Sequence, residues 1–321
     1  GGVKIIAAGH RVVHGGRDFT GPVLVDAKVI DELETLGVLA PLHQPHNLAA
    51  IKTIAAHAPE LPQVACFDTS FHRTQPRLAQ LFGLPRALTD DGMIRYGFHG
   101  LSYEYIASVL PDHLGARAGG RVIVAHLGNG ASMCAMRERR SVATSMGFTA
   151  LHGLIMGRRC GSLDAGVVLH LLQHRGMSVD EVHHLLYRQS GLLGVSGISN
   201  SMQVLQESPD PRAQEAVDLF CYRAACELGA LVAALEGLDA IVFTAGIGEN
   251  SAVVRNRICA RLAWLGVELD PAANDDDAAV ISAENSNVAV LVIPTNEEAI
   301  IAAATHALVV RPGAASRTSN D

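Results

Sequence analysis

The pair Asn129-Gly130 stands between two apolar runs, "RVIVAHL" and "ASMCAM", and this arrangement constrains the fold more than any other stretch. An Asn-Gly step tolerates the left-handed backbone of a tight turn, so the flanking runs read as an antiparallel hairpin. Further along, "DAIVFTAGIGENSAVVRNRICARL" reads as strand, glycine turn and helix, with Ser251 placed to cap that helix. A chain holding both steps builds a mixed-sheet α/β fold rather than a purely parallel one. "VKIIAAGHRVV" reads as a buried strand entering a turn at Gly15-Gly16. Ser178 to Glu181 forms a capping box opening a helix that carries Val182, Leu185 and Leu186 and stops at Gly191. The longest helical pattern runs from about Arg212 to Leu235. Ala213, Val217, Phe220, Ala224, Leu228, Leu231 and Leu235 line one face. The tail "RPGAASRTSND" is expected to fray.

Length and charge narrow the function classes. A chain of 321 residues supplies one large domain or two ordinary ones. With 49% hydrophobic and 18% charged residues it is globular in composition. A net charge of −7 without a basic run argues against a nucleic-acid surface. No apolar run reaches the length of a membrane span. The six cysteines form no C-x-x-C pair and sit in apolar segments, which reads as reduced, mostly buried thiols of a cytosolic protein.

Several short stretches carry chemistry. In "FTAGIGENS", glycines after a strand let a ligand approach the backbone, and helix-start amides suit an anion; a plain β-α turn explains the same residues. "HLGNGAS" places turn amides and polar side chains where phosphate oxygens could be held, or is an ordinary hairpin. In "CFDTSFH", Asp68 ends an apolar run, a position suited to an active-site carboxylate or to a cap. "RYGFHG", "APLHQPHN" and "MGRRCGSLD" each join His or Arg to Gly or Pro turns, and together they favour a polar cleft.

Read in order, "HRVVHGG", "APLHQPHN", "FDTSFH", "RYGFHGLS", "HLGNGAS", "TSMGFTALHGLIMGRR", "LLGVSGIS", "FTAGIGENS" and "IPTNEEAIIA" resemble the motifs of the acetate kinase family. The resemblance implies two ribonuclease-H-like α/β domains of the sugar kinase, Hsp70 and actin superfamily, with an interdomain cleft. It divides the chain into 1–71 plus 299–321 on the acetate side and 72–298 for nucleotide binding and dimerisation. It also implies ATP and Mg2+, reversible phosphoryl transfer to acetate, and a cytoplasmic homodimer. By resemblance, Arg11 grips the acetate carboxylate and Val13 walls the methyl pocket. Asp68 is the catalytic aspartate, His99 and Arg159 stabilise the transferring phosphoryl group, and His43 is a further active-site histidine. His126, Leu127, Gly128, Asn129 and Gly130 form the phosphate loop. Gly246, Ile247, Gly248, Glu249 and Asn250 form the adenosine loop, and Ser201, Met202 and Gln203 lie near the adenine. Glu297 helps to hold Mg2+. Acetate is already ionised at neutral pH, so Asp68 is expected to orient its neighbours rather than remove a proton.

The chain departs from the family pattern in three places. It begins after the first strand and the Asn-x-Gly-Ser-Ser-Ser turn, so the first strands of the N-terminal domain are expected to be missing and a sheet edge exposed. Ser201 and Gln203 replace an Asp and an Arg. Ala143, Leu101 and Tyr103 replace an Asp, a Thr and a His. Alternative readings are a propionate or short-chain carboxylate kinase, and a truncated non-catalytic nucleotide-binding remnant.

Overall fold

Alternation along one short strand organises the first part of the chain. The computed structural model describes residues 4–40 and 43–310, so the tail expected to fray lies outside the described residues. Strand β1 is Ala8–Val12, β2 is Val23–Leu24 and β3 is Gln63–Phe67, in the order β1-β3-β2. β3 runs parallel to β1 and antiparallel to β2, and every one of its residues is buried. Alternate residues face opposite sides of the sheet. Val12, Ala65 and Phe67 pack with Leu33, Leu48 and Ile51 on one side. Val64 and Cys66 pack on the other with Leu101, Ile300, Ile301 and Ala304. Arg11 is in register with Cys66, which directs it to that second side.

In "VKIIAAGHRVV" the structure differs from the buried strand expected. The strand begins only at Ala8, and its residues alternate in exposure instead of being uniformly buried. The reason is position: among the described residues β1 pairs with β3 alone, and Ile5 and Ile6 are exposed.

The second sheet matches the mixed architecture expected. It contains β4 Val122–Leu127, β5 Ala131–Arg137, β6 Arg140–Thr144, β7 Ala240–Thr244 and β8 Ala289–Val292, in the order β6-β5-β4-β7-β8. β4, β5 and β6 form antiparallel pairs, and β7 and β8 add parallel ones. The hairpin closes at Asn129-Gly130, with Leu127 opposite Ala131. The long helix is Pro211–Leu235, capped by Asp210, and each of the seven face residues named above is buried. The Ser178 capping box is present at the start of Val179–Arg188. After β7 the expected glycine turn is a short helix, Ala245–Asn250. Ser251 then caps Ala252–Ala260 as expected.

The chain packs into two compact units, one drawn from Gly1–Ser108 and Asn296–Asp321, the other from Val109–Thr295. Residues 72–108 therefore pack with the first unit, a different division from the one implied by the resemblance.

Two histidines are built into the first unit without exposure to water. His14 and His72 are each 0% exposed. Burial, with Arg73 nearby, pushes each imidazole down to about 4 from the ordinary 6.5, although the Phe98 carbonyl favours the charged form of His72. The unfolded chain binds more protons than the folded one between these values. Stability is therefore full above the ordinary histidine range and is lost as pH falls through it. The unfolding midpoint should drop as pH goes from about 7 to about 5, and His72→Asn should flatten that drop. Thermal melts across this range measure both.

Candidate active site

In the first unit, register places Arg11 beside Asp68. Arg11 lies opposite Cys66 on the adjacent parallel strand, and Asp68 follows two residues later, so both side chains emerge on one side of the sheet. Arg11 Nε donates to Asp68 Oδ1 at 3.0 Å, and Nη2 donates to Oδ2 at 2.7 Å. Nη1 lies 3.1 Å from Glu297 Oε2. Glu297 is the first residue of the helix Glu297–Val310, which covers this side of the sheet. One guanidinium fork thus joins two carboxylates from β3's end and a helix start.

The electrostatics follow from that arrangement. Burial opposes the charge on Arg11, but Asp68 and then Glu297 more than offset it, so its pKa lies above the ordinary value. Burial raises Glu297; Arg11 pulls it down and Asp68 pushes it up. Asp68 is buried, whereas the Arg11 side chain is 39% exposed and remains open to an anion. Two carboxylates share one cation, which leaves net negative charge. Among the described residues no cluster of three or more His, Cys, Asp or Glu side chains is placed to hold a metal. This donor set fits Mg2+, which uses one or two carboxylates and otherwise keeps water and phosphate oxygens.

His99 sits close by in the chain's path. It holds a left-handed backbone, φ 59°, just before the helix Gly100–Leu114. The next amide, Gly100 N–H, donates to the Asp68 carbonyl at 2.9 Å. A Cβ on Gly100 would stand 2.2 Å from that oxygen, so only glycine permits the approach. Val13 is half-buried, one residue beyond β1. His43 is exposed and stands at the start of the helix Gln44–His57.

In the second unit a cavity of about 660 Å³ collects most of the expected nucleotide residues. Gly128, Asn129, Ser201, Met202, Gln203, Gly246, Ile247 and Asn250 line it. Asn200, Gln206 and Ser251, which motif reading missed, complete the lining. Every one of these residues is uncharged. His126 and Leu127 are instead buried in β4, and neither they nor Gly130, Gly248 and Glu249 line the cavity.

Glu249 turns inward instead. Its Oε1 accepts from the amides of Ala245 at 2.6 Å and Thr295 at 3.1 Å. It thereby supports Ala245, whose φ of 65° is unusual for a residue with a Cβ. Arg255, fully buried, donates through Nη1 to the carbonyls of Gly248 at 3.0 Å and Glu249 at 2.9 Å. These two charged groups fix the loop backbone from beneath, a role that the glycine pattern alone does not disclose.

Arg159 is tied to the Asn129 turn through its own loop. Gly157 N–H donates to the Asn129 carbonyl at 3.0 Å, and Met156 N–H to the Arg159 carbonyl at 3.2 Å. Arg159 Nη1 donates to the Ala150 carbonyl at 2.6 Å. Burial lowers its pKa, Tyr187 opposes this and Arg188 adds to it, yet a guanidinium stays charged at neutral pH. His170 and His174 are one helical turn apart with ring centroids at 5.3 Å, but they are exposed and no third ligand group joins them among the described residues.

The family model described as "Acetokinase family" matches residues 2–303. An acetate kinase of Rhodopseudomonas palustris is 60% identical over 302 residues, covering 93% of this chain and 76% of that protein. One from Methylocella silvestris is 54% identical, covering 97% and 77%. Among solved structures, a propionate kinase from Francisella tularensis aligns with TM-score 0.90 at 40% identity, covering 94% of this chain and 79% of that one. Porphyromonas gingivalis acetate kinase aligns with TM-score 0.88 at 37% identity, covering 94% and 78%.

A Cβ at position 157 would fall 2.0 Å from Asn129 Oδ1. Gly157→Ala should displace that side chain while the fold persists. Nucleotide Kd should then rise about tenfold, the scale of one lost hydrogen-bonding group, with Tm nearly unchanged. Isothermal titration alongside a thermal melt measures the two effects separately.

Proposed function

The chain belongs to the acetokinase family, and we propose that it transfers the γ-phosphoryl group of ATP reversibly to acetate, giving acetyl phosphate and ADP. The observation that carries this reading is the Arg11 fork held between Asp68 and Glu297. A planar, permanently charged guanidinium with part of its surface open suits a carboxylate. A carboxylate oxygen of acetate attacks phosphorus as the bond to the ADP oxygen breaks, so the work is positioning and charge compensation. No proton leaves the acceptor, and Asp68 accordingly acts by orienting Arg11. Its hydrogen bonds to Nε and Nη2 support that role.

In the first unit, His99 keeps the role of a donor to phosphoryl oxygens, and His43 remains the subsidiary histidine. In the second unit, Arg159 supplies charge. The uncharged cavity holds the nucleoside, with Asn129 near its phosphates. Glu297 would hold Mg2+, whose charge would offset that on the phosphate oxygens. Homodimeric assembly and residence in the cytoplasm complete the reading. No described helix is long and apolar enough to cross a membrane.

Propionate is a second acceptor. The support is a neighbour named as a propionate kinase, while Val13, the pocket wall, leans toward acetate because its methyls narrow the pocket. One methylene shifts selectivity by about 1–3 kcal/mol. The purified chain should form acetyl phosphate from ATP and acetate, and Val13→Ala should raise the propionate-to-acetate ratio of kcat/KM about tenfold. Absence of acetyl phosphate from a folded, ATP-binding preparation would instead favour a non-catalytic remnant.

Asp68→Asn should raise the KM for acetate far more than that for ATP, because Arg11 loses its charged anchor. Steady-state kinetics with each substrate varied in turn give the two constants. Equal changes in both would assign Asp68 a different role.

A further inference from the structure

The segment just beyond β1 has lost its strand partners, yet its backbone is not left to water. Asn47 Oδ1 accepts from Val13 N–H at 3.2 Å. Gln44 Oε1 accepts from His14 N–H at 3.3 Å, and Gln44 Nε2 donates back to the His14 carbonyl at 3.1 Å. Thr69 Oγ1 accepts from Gly15 N–H at 3.0 Å. The His14 ring closes the series, its Nδ1 accepting from Gly16 N–H at 2.9 Å. Four successive backbone amides are thus held by side chains rather than by a sheet.

Two of those side chains share the helix Gln44–His57. Its apolar residues Leu48 and Ile51 are buried in the core with Val12 and Phe67. The helix is therefore seated rigidly on the sheet, and its first turn presents Gln44 and Asn47 to the segment. Gln44 is fully buried and also donates to the Leu33 carbonyl at 3.3 Å. His14 is clamped edge-on against Tyr96 and Phe98, with centroids at 4.5 and 5.6 Å. Because the His14 Nδ1 is an acceptor, its Nε2 carries the proton, and that buried atom has no hydrogen-bond partner among the described residues. The ring is kept for shape and for its one bond to Gly16.

We propose that Asn47 and Gln44 are positioning residues that set acyl-chain selectivity, by fixing through Val13 and His14 where the Val13 side chain stands. The proposal rests on the reading of Val13 as the pocket wall. A wall carried by a loop is only as exact as the loop's anchors, and a displacement well under the size of a methyl group alters what the pocket admits.

Asn47 is the better test position, because it is half-buried and its loss should not unfold the chain. Asn47→Leu removes the acceptor for Val13 N–H at similar volume. It should raise the propionate-to-acetate ratio of kcat/KM about fivefold, leaving the KM for ATP unchanged. Asn47→Asp retains an acceptor oxygen and should restore the wild-type ratio. Gln44→Met, assayed if folded by circular dichroism, should shift the ratio in the same direction. A lower Tm for Asn47→Leu with an unchanged ratio would overturn the proposal, as would equal shifts in Asn47→Leu and Asn47→Asp. Val13→Ala run in parallel separates the two levels. If it leaves the ratio unchanged, the pocket-wall reading fails; if it shifts the ratio while Asn47→Leu does not, the positioning role alone fails.

Discussion

The bonds from Arg11 to Asp68 and Glu297 unite the functional half of the first unit. Asp68 is 57 residues from Arg11, and Glu297 opens a helix near the end of the described chain. Parallel pairing of β1 with β3 sets the first contact, and packing of Glu297–Val310 on the sheet sets the second. A fork of N–H donors reaches both carboxylates with little rearrangement, whereas an ammonium would offer one point of charge. Removing either carboxylate leaves a partly buried cation short of a partner, and removing the arginine leaves two acids facing each other. The three side chains therefore act as one unit, and changes at any of them are not expected to add independently.

Much of the architecture was legible because it is encoded locally. The Ser178 capping box, the Asn129-Gly130 hairpin and the Pro211–Leu235 stripe all depend on residues within a few positions of one another. The site was legible only as a set of separate motifs. Nothing in the spacing of Arg11, Asp68 and Glu297 shows that they touch, because strand pairing brings them together. Glu249 shows what a motif alone does not disclose. In "GIGEN" it stands in the expected adenosine loop, and its carboxylate also serves the amides of Ala245 and Thr295. The helix at Ala245–Asn250 looks like a turn in the sequence because two glycines outweigh local helix propensity in any short window. Gln44 and Asn47 lie inside "APLHQPHN", but their role is not legible there, since a helix-start amide looks the same whether it faces water or a neighbouring segment.

The two units solve the problem of holding irregular backbone in different ways. In the first, two side-chain amides, one hydroxyl and one imidazole stand in for a strand ladder along residues 13–16. In the second, a buried guanidinium and a carboxylate grip a helical turn from below, Arg255 at its carbonyls and Glu249 at its first amide. A charged grip is stronger per bond but tolerates fewer substitutions, because the group left behind is buried and unsatisfied.

The cavity lined only by amides, hydroxyls, glycines and two apolar side chains has a consequence for its chemical economy. Without formal charge on its walls, there is little long-range field for dissolved ions to screen, and its hold on a nucleoside, the ligand proposed for it, would come from contact distances alone. Added salt would then discriminate between the two ends of a bound nucleotide, weakening attraction at the phosphates while the base end stayed indifferent. Changes in cellular ionic strength would be felt through one half of the ligand only.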